Sequence, residues 1–154
     1  KHGIGQDRLI CLPRTNLYQY FAAHHGVDLC LDAYPYGGGT TSMHALWMGV
    51  PTLTLAGEYI ASRHGATICG LFDLPEFIAY SDSEFISKGV YWSQHRQELN
   101  TLRQGLRTAW QNNKQIQSDS VSHYFIQALL TMWRRYEQQL PPVAFTLLEE
   151  KNNA

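Results

Sequence analysis

Short apolar runs alternate with helical patterns along the first half of the chain. Four runs have the length and composition of buried strands, over residues 8–12, 27–32, 51–56 and 77–80. Parallel strands covered on both faces are apolar nearly throughout, as these runs are. Between them the spacing predicts helices over 15–25, 40–48 and 60–70. The order β-α-β-α-β-α-β predicts an α/β fold, with a parallel sheet and helices on both faces.

Polar and glycine residues mark where these elements stop. Pro13 ends the first run, and Thr15 or Asn16 can cap the helix that follows. Gly26 and Gly49 stand at the expected ends of the first two helices. The segment 33–39 contains Pro35 and three consecutive glycines, which predicts a loop.

The second half of the chain is predicted to be helical. Residues 82–136 contain no proline and only two glycines, and helices are expected to begin near 81–84, 96 and 118. The last helix, 118–139, carries an apolar stripe: Val121, Phe125, Ala128, Leu129, Met132, Trp133 and Tyr136. We interpret the stripe as core packing, with a groove for a partner as the alternative. Two prolines then end the helix, which predicts a domain over 1–140 and a tail over 141–154.

Composition excludes several classes of protein. The 154 residues (17.6 kDa) suit one domain, and 44% hydrophobic content argues against disorder. A net charge of −1 gives no basic excess, so we expect no nucleic-acid partner. No apolar run approaches the ~20 residues of a membrane span. The start lacks both an initiator methionine and the apolar segment of a signal peptide, which suggests the C-terminal piece of a longer protein.

Cysteine and histidine spacing indicates neither disulfides nor a metal. The three cysteines, Cys11, Cys30 and Cys69, form no CxxC pair, and two lie in apolar runs. We expect unpaired thiols and a cytoplasmic, reducing location. The seven histidines show no metal-binding spacing, so no metal cofactor is expected.

The glycine-rich segment Gly37–Thr41 is the first candidate for chemistry. It opens a predicted helix directly after a strand, where open α/β sheets bind ligands. Glycines let the backbone approach a phosphate closely, and the N-terminus of a helix favours an anion. The alternative is a plain turn in which Thr40 or Thr41 caps the helix. The pattern matches neither a P-loop nor the dinucleotide GxGxxG motif.

Two further segments follow strand ends. Asp32 could act as a base or bind a sugar hydroxyl, although bracing of the loop is the favoured interpretation. Tyr34 and Tyr36 could line a pocket or pack beside the loop. Arg63 could face an anion or pair with a local acid such as Glu58. His64 is interpreted as a surface or packed residue rather than a catalyst.

The central motif resembles one family of glycosyltransferases. The segment Asp32-Ala-Tyr-Pro-Tyr-Gly-Gly-Gly-Thr-Thr41, followed by Ala45-Leu-Trp-Met-Gly-Val-Pro51, closely resembles the O-GlcNAc transferase and SPINDLY family. Ala61-Ser62-Arg63 and Met132-Trp133 resemble it too, and the likeness extends roughly over 8–136. The resemblance implies the C-terminal, Rossmann-like half of a GT-B fold, which holds the nucleotide-sugar donor.

The resemblance also implies a set of donor-binding positions. The family's diphosphate-binding helix start corresponds to Gly39, Thr40 and Thr41, preceded here by Gly38. Its base-binding segment corresponds to Thr15, Asn16 and Leu17 and then to 20–23, and its ribose position corresponds to His44. Four positions differ from O-GlcNAc transferases: Leu17 replaces a lysine, Tyr20 a histidine, Ala23 an arginine and His44 an acidic residue. A further histidine of those enzymes is Gly39 here.

The implied function is the donor-binding half of an inverting glycosyltransferase. It would transfer a sugar from UDP-GlcNAc, or from a GDP-sugar, to a protein acceptor. The acceptor-side groups would lie in an N-terminal catalytic domain outside this sequence, so the piece alone is expected to be inactive. Two alternatives are a GT-B enzyme with a non-protein acceptor and a non-catalytic nucleotide-binding module.

Overall fold

A computed structural model describes residues 3–116 and 118–147, and for 118–120 it describes the backbone only. The chain divides into two compact units, Lys1–Gln111 and Asn112–Ala154. The first unit contains the sheet and most of the helices, and the second contains the last helix. This division says nothing of where a nucleotide-binding domain ends, so the boundary at 140 stays a prediction.

A three-stranded parallel sheet forms the centre of the first unit. Its strands are β1 (Cys30–Leu31), β2 (Thr52–Leu55) and β3 (Ile78–Ala79), in the order β1-β2-β3. In register, Cys30 faces Thr52 across the β1–β2 pair, and Thr54 faces Ile78 across the β2–β3 pair. Leu53 and Ala79 are fully buried. The parallel α/β prediction is confirmed, although each strand is shorter than its apolar run.

One helix precedes β1, and the next two helices connect the three strands, as the punctuation predicts. Helix α1 spans Leu17–Ala23, and its N-cap Asn16 accepts a hydrogen bond from the backbone N–H of Gln19. Helix α2 spans Thr40–Trp47, and Gly49 follows it with a positive φ of 75°, a conformation that glycine adopts readily. Helix α3 spans His64–Leu71, after a short 3-10 turn at Ile60–Ser62.

Two longer helices complete the first unit. Helix α4 (Asp82–Gln94) begins at the N-cap Ser81, and α5 spans Arg96–Asn112. Aromatic stacking holds α4 in the core, because the rings of Trp92 and Phe77 are parallel at 4.8 Å between centroids. Arginines of α5 satisfy carbonyls at the end of α2: Arg103 donates to Gly49 and Arg107 to Trp47.

The predicted first strand, 8–12, is wrong. A 3-10 turn occupies Gln6–Arg8, and residues 9–12 form neither helix nor strand. Leu9, Ile10 and Leu12 are exposed, as is Cys11. An apolar run becomes a strand only when a neighbour pairs with its backbone and a helix covers it. In the described part of the chain no strand pairs with this segment, so Cys11 is exposed although its apolar run predicted a buried strand.

The second unit contains the long helix α6, Ser118–Glu137, preceded by a 3-10 turn at Lys114–Ile116. The long C-terminal helix is therefore confirmed. The interpretation of its stripe as core is wrong, because none of the α6 side chains that the structure describes is buried. Phe125 is 64% exposed and Trp133 57%. Within its own unit, α6 contacts the short preceding turn, which is too small to cover an apolar stripe.

A search of the described residues for a membrane-crossing helix found none that is both long and apolar enough.

Candidate functional site

Asp32, just after β1, organises the glycine-rich loop. Its Oδ1 accepts hydrogen bonds from the backbone N–H groups of Gly38 (2.7 Å) and Ala33 (3.0 Å). Its Oδ2 accepts one from the hydroxyl of Thr54 on β2, at 2.8 Å. Hydrogen bonds to a charged group contribute about 1.5–3 kcal/mol each. The carboxylate therefore braces the loop, which was the favoured interpretation of Asp32 from sequence.

Close packing behind the loop requires glycine at position 65. A Cβ on Gly65 would lie 2.3 Å from Thr54 Oγ1 and 2.5 Å from Asp32 Oδ2. Such distances are well inside van der Waals contact, so any side chain there would displace the Asp32–Thr54 pair. The first turn of α3 thus lies directly against the carboxylate that holds Gly38. A backbone hydrogen bond from Gly37 to the carbonyl of Ala61 adds a second connection, at 3.0 Å.

Helix α2 begins at the end of this loop without a side-chain cap. Gly39 is its N-cap residue, and no side chain accepts a hydrogen bond from the first turn. Thr40 and Thr41 are therefore not N-caps, and both are exposed. Uncapped N–H groups and the positive end of the helix dipole favour an anion at this position. The two hydroxyls can donate further hydrogen bonds to it.

The loop and the start of α2 form one wall of a pocket of about 810 Å³. Residues of β1 and the adjoining loop, including Cys30, Leu31 and Asp32, line its floor together with Thr52 of β2. Tyr20 and His24 lie on one side, and Tyr36 and His64 also contribute. This volume is in the range of cavities that hold small ligands. The pocket lies at the carboxyl end of the sheet, as expected for an open α/β fold.

Aromatic and imidazole rings cluster beside the pocket. The ring of Tyr20 packs edge-on against His24 at 5.0 Å and against His44 at 5.7 Å. Phe21 also contacts His44, at 5.0 Å. Burial, and to a smaller extent Cys30, raises the pKa of the Tyr20 hydroxyl. This hydroxyl is therefore a neutral hydrogen-bond donor at neutral pH.

The thiol on the pocket floor is also neutral. Burial raises the pKa of Cys30; a hydrogen bond with Thr52 opposes this rise, and the charge of Asp32 adds to it. Thr52 Oγ1 is itself buried and has no hydrogen-bond partner of normal length and angle among the described residues. Its interaction with the thiol is therefore weak. On the floor of the pocket, the Cys30 thiol and the Thr52 hydroxyl are therefore uncharged, and the charged group there is the Asp32 carboxylate.

The structure brings most of the predicted donor residues together. Tyr20, Gly38, Gly39, Thr40 and Thr41 all line the pocket. Two predicted residues do not line it. The Thr15 hydroxyl donates to the carbonyl of its neighbour Asn16. The ring of His44 packs beside the pocket, against Tyr20 and Phe21.

Sequence reasoning missed or set aside five of the polar or titratable residues that line the pocket: His24, Cys30, Ser42, Thr52 and His64. Thr52 and Cys30 looked like ordinary strand residues, and their shared register at the pocket floor follows from strand pairing. The sequence did place His64 at the start of the helix that follows β2, on the same sheet edge as the glycines. His64 was nevertheless interpreted as a surface or packed residue, and in the structure it is half-buried against Tyr36.

The segment around Arg63 is structural. The Arg63 side chain is exposed and donates to the carbonyl of Gly57 at 2.9 Å. Ser62 is buried, and its hydroxyl donates to the carbonyl of Tyr59 and accepts from its N–H. These bonds fix the turn that precedes α3. They set the position of His64 without placing Arg63 at the pocket.

Comparison with known proteins identifies the family. The profile of glycosyl transferase family 41 matches residues 1–125. The chain is 30% identical over 135 residues to the probable UDP-N-acetylglucosamine–peptide N-acetylglucosaminyltransferase SPINDLY of Oryza sativa subsp. japonica, covering 87% of this chain and 15% of that protein. It is 30% identical over 114 residues to the UDP-N-acetylglucosamine–peptide N-acetylglucosaminyltransferase of Caenorhabditis elegans, covering 74% and 10%.

A solved structure agrees with this sequence likeness. A mutant of the Thermobaculum terrenum O-GlcNAc transferase superposes with a TM-score of 0.78 at 31% identity, over 89% of this chain and 26% of that one. The fold and the loop define a Rossmann-like half of a GT-B glycosyltransferase. The chain belongs to glycosyl transferase family 41. It spans about a seventh of the length of the SPINDLY relatives, 15% in the rice protein.

Proposed function

We propose that this chain is the donor-binding half of an inverting glycosyltransferase that transfers a sugar, N-acetylglucosamine from UDP-GlcNAc, to a protein acceptor. One observation carries the proposal: Asp32 fixes the backbone of Gly38, so that the uncapped start of α2 opens into the pocket. The names of the relatives from rice and Caenorhabditis elegans support the donor and the peptide acceptor.

The chemistry assigned to this half is stabilisation of the departing diphosphate. The acceptor hydroxyl attacks the anomeric carbon and gives its proton to a base among the acceptor-side groups. The bond from that carbon to the diphosphate breaks, and its electron pair remains on the diphosphate. N–H groups of Gly39–Thr41 and the hydroxyls of Thr40 and Thr41 would receive the growing negative charge. We assign no metal to this step. The acceptor-side groups belong to a partner domain, so the isolated chain should bind the donor without transferring it.

We also propose a cytoplasmic location, because three unpaired cysteines suit a reducing compartment. A non-catalytic nucleotide-binding module is the second candidate function. It is favoured by Leu17, which is 66% exposed at the start of α1. O-GlcNAc transferases have a lysine at the corresponding position.

Calorimetry with a panel of nucleotides tests the first proposal. UDP and UDP-GlcNAc should bind the chain with micromolar to millimolar affinity, and uridine should bind at least tenfold more weakly because it lacks the diphosphate. GDP and ADP serve as base controls. If uridine and UDP bind equally, or if neither binds, the diphosphate site is not where the proposal puts it.

A further inference from the structure

The pocket offers few positive charges for a diphosphate. None of the described residues that line it is a lysine or an arginine. Asp32 adds a carboxylate, already occupied by three hydrogen bonds. The lining side chains that can become cationic are the two histidines, His24 and His64. A bound nucleoside diphosphate carries negative charge. Within the described lining, the imidazoles of His24 and His64 are the side chains that can balance it with positive charge.

His64 is the better positioned of these two histidines. It is the first residue of α3 and is half-buried. Its ring meets the ring of Tyr36 edge-on at 6.3 Å, on the loop that leads into the glycines. The next residue, Gly65, packs against the Asp32 carboxylate, which also holds Gly38. One carboxylate thus fixes both the glycine loop and the helix turn that carries His64.

We propose that His64 is a diphosphate-binding residue, whose protonated imidazole supplies the positive charge that lysine or arginine commonly supplies at such sites. This inference rests on the proposed donor function of the same pocket. A neutral imidazole can donate one hydrogen bond to a phosphate oxygen, and an imidazolium can donate two with a full charge. Diphosphate binding should therefore become stronger as the imidazole gains its proton.

Several titratable or charged groups lie around the helix turn that carries His64. The Asp32 carboxylate lies against the next residue, Gly65. The other titratable or charged groups of the pocket and its approach are Tyr20, His24, Cys30, Tyr36 and Arg63. On elements packed against α3, His44 belongs to α2, and Glu76 acts on Cys69 at the far end of the helix.

Calorimetric titration of the 154-residue chain with UDP and with GDP at pH 5.5 and pH 8.0 tests the proposal. The variants are His64→Gln, which keeps a hydrogen-bond donor without the charge, and His64→Lys, which keeps the charge at both pH values. His95→Gln is the matched control, because His95 is exposed just after α4, stacks on Tyr91 and does not line the pocket. Each variant is compared with wild type at the same pH, which cancels the protonation of the phosphate itself.

We expect His64→Gln to weaken binding about tenfold at pH 5.5 and about twofold at pH 8.0, the loss of a charge-assisted against a neutral hydrogen bond. His64→Lys should bind at pH 8.0 at least as tightly as wild type, and His95→Gln should match wild type throughout. Equal loss at both pH values, or no loss, would overturn the role of His64 while leaving the donor site intact. Absence of any binding by wild type would reject the donor function and this inference together.

A second measurement remains decisive where a variant does not fold. Proton NMR of wild type follows the ring signals of the histidines during a pH titration with and without UDP. UDP should move the midpoint of the His64 signal upward by ~0.5 or more, and that of His95 should not move. An unchanged His64 midpoint in saturated protein would overturn the proposal.

Discussion

Asp32 Oδ1 accepts a 2.7 Å hydrogen bond from the backbone N–H of Gly38, six residues further along the chain. This single bond joins the end of β1 to the loop that opens α2. With Thr54 on the neighbouring strand donating to the other carboxylate oxygen, the loop is held from the sheet. The position of the helix start is therefore set before any ligand binds, which reduces the ordering cost of binding.

Replacement of Asp32 should damage both the fold and the site. Asp32→Ala leaves the Gly38 N–H and the Thr54 hydroxyl without their acceptor, and we expect the free energy of unfolding to fall by roughly 2 kcal/mol. UDP affinity should fall more than tenfold. Asp28→Ala is the control: Asp28 pairs with Arg103 at an exposed site before β1, and its loss should cost less than about 1 kcal/mol. Urea denaturation measures the stability loss of both variants. Equal losses for Asp32→Ala and Asp28→Ala would contradict the bracing role of Asp32.

Two glycines of the same helix provide a matched pair. Gly65→Ala places a Cβ 2.3 Å from Thr54 Oγ1, whereas at Gly70 nothing lies within 4 Å. We expect Gly65→Ala to destabilise the protein by about 1–3 kcal/mol through overpacking. Gly70→Ala should stabilise it by up to about 1 kcal/mol, because alanine favours helix. Thermal unfolding followed by circular dichroism distinguishes them, and a neutral Gly65→Ala would mean that the Asp32–Thr54 pair can move without cost.

The two threonines at the start of α2 should contribute to binding without supporting the fold. Thr40→Val combined with Thr41→Val removes two exposed hydroxyls, so stability should change by less than about 0.5 kcal/mol. UDP or GDP affinity should fall at least tenfold, because each charge-assisted hydrogen bond contributes about 1.5–3 kcal/mol. Thr67→Val, on the exposed side of α3, is the control. Unchanged affinity by calorimetry would remove both hydroxyls from the site.

The three thiols should react in the order of their exposure. Cys11 is exposed, Cys30 is half-buried and Cys69 is buried. Burial, with smaller contributions from Asp32 and Glu76, raises the pKa of Cys69 to about 12. A thiol with a raised pKa is protonated and unreactive below that value, so at pH 8 only about 10⁻⁴ of Cys69 is thiolate.

Ellman's reagent at pH 8 should therefore label Cys11 within minutes, Cys30 more slowly and Cys69 only after denaturation. The denatured protein should yield three free thiols. A total below three would show a disulfide, and fast labelling of Cys69 in the native protein would contradict its burial.

Local patterns predicted the helices and the glycine loop, because their signals are contained in a few residues. Asn16 caps α1, Ser81 caps α4 and Gly49 follows α2, as the sequence indicates. The prediction of a strand over 8–12 was wrong because strand formation depends on a pairing neighbour, which an apolar run does not reveal. The interpretation of the α6 stripe as core packing was wrong for the same reason. Amphipathic spacing identifies an apolar face and leaves its partner unspecified.

The sequence predicted the part of the candidate site that lies on one contiguous motif. It missed the residues that the fold brings to the site from other parts of the chain. Gly38–Thr41 form a contiguous segment with a known physical use. His64 joins them only because β1 and β2 are adjacent and α3 packs against Asp32. No spacing in the sequence encodes that contact, so the histidine was interpreted as a surface or packed residue.

Amide NMR during a UDP titration tests the central claim, that a nucleoside diphosphate binds at the start of α2. The account predicts saturable shifts of the backbone N–H signals of Gly38, Gly39, Thr40 and Thr41, larger than those elsewhere in the chain. The same signals should move much less with uridine. If UDP binds by calorimetry while these four signals stay unchanged, or if the largest shifts lie outside the pocket, the account is contradicted.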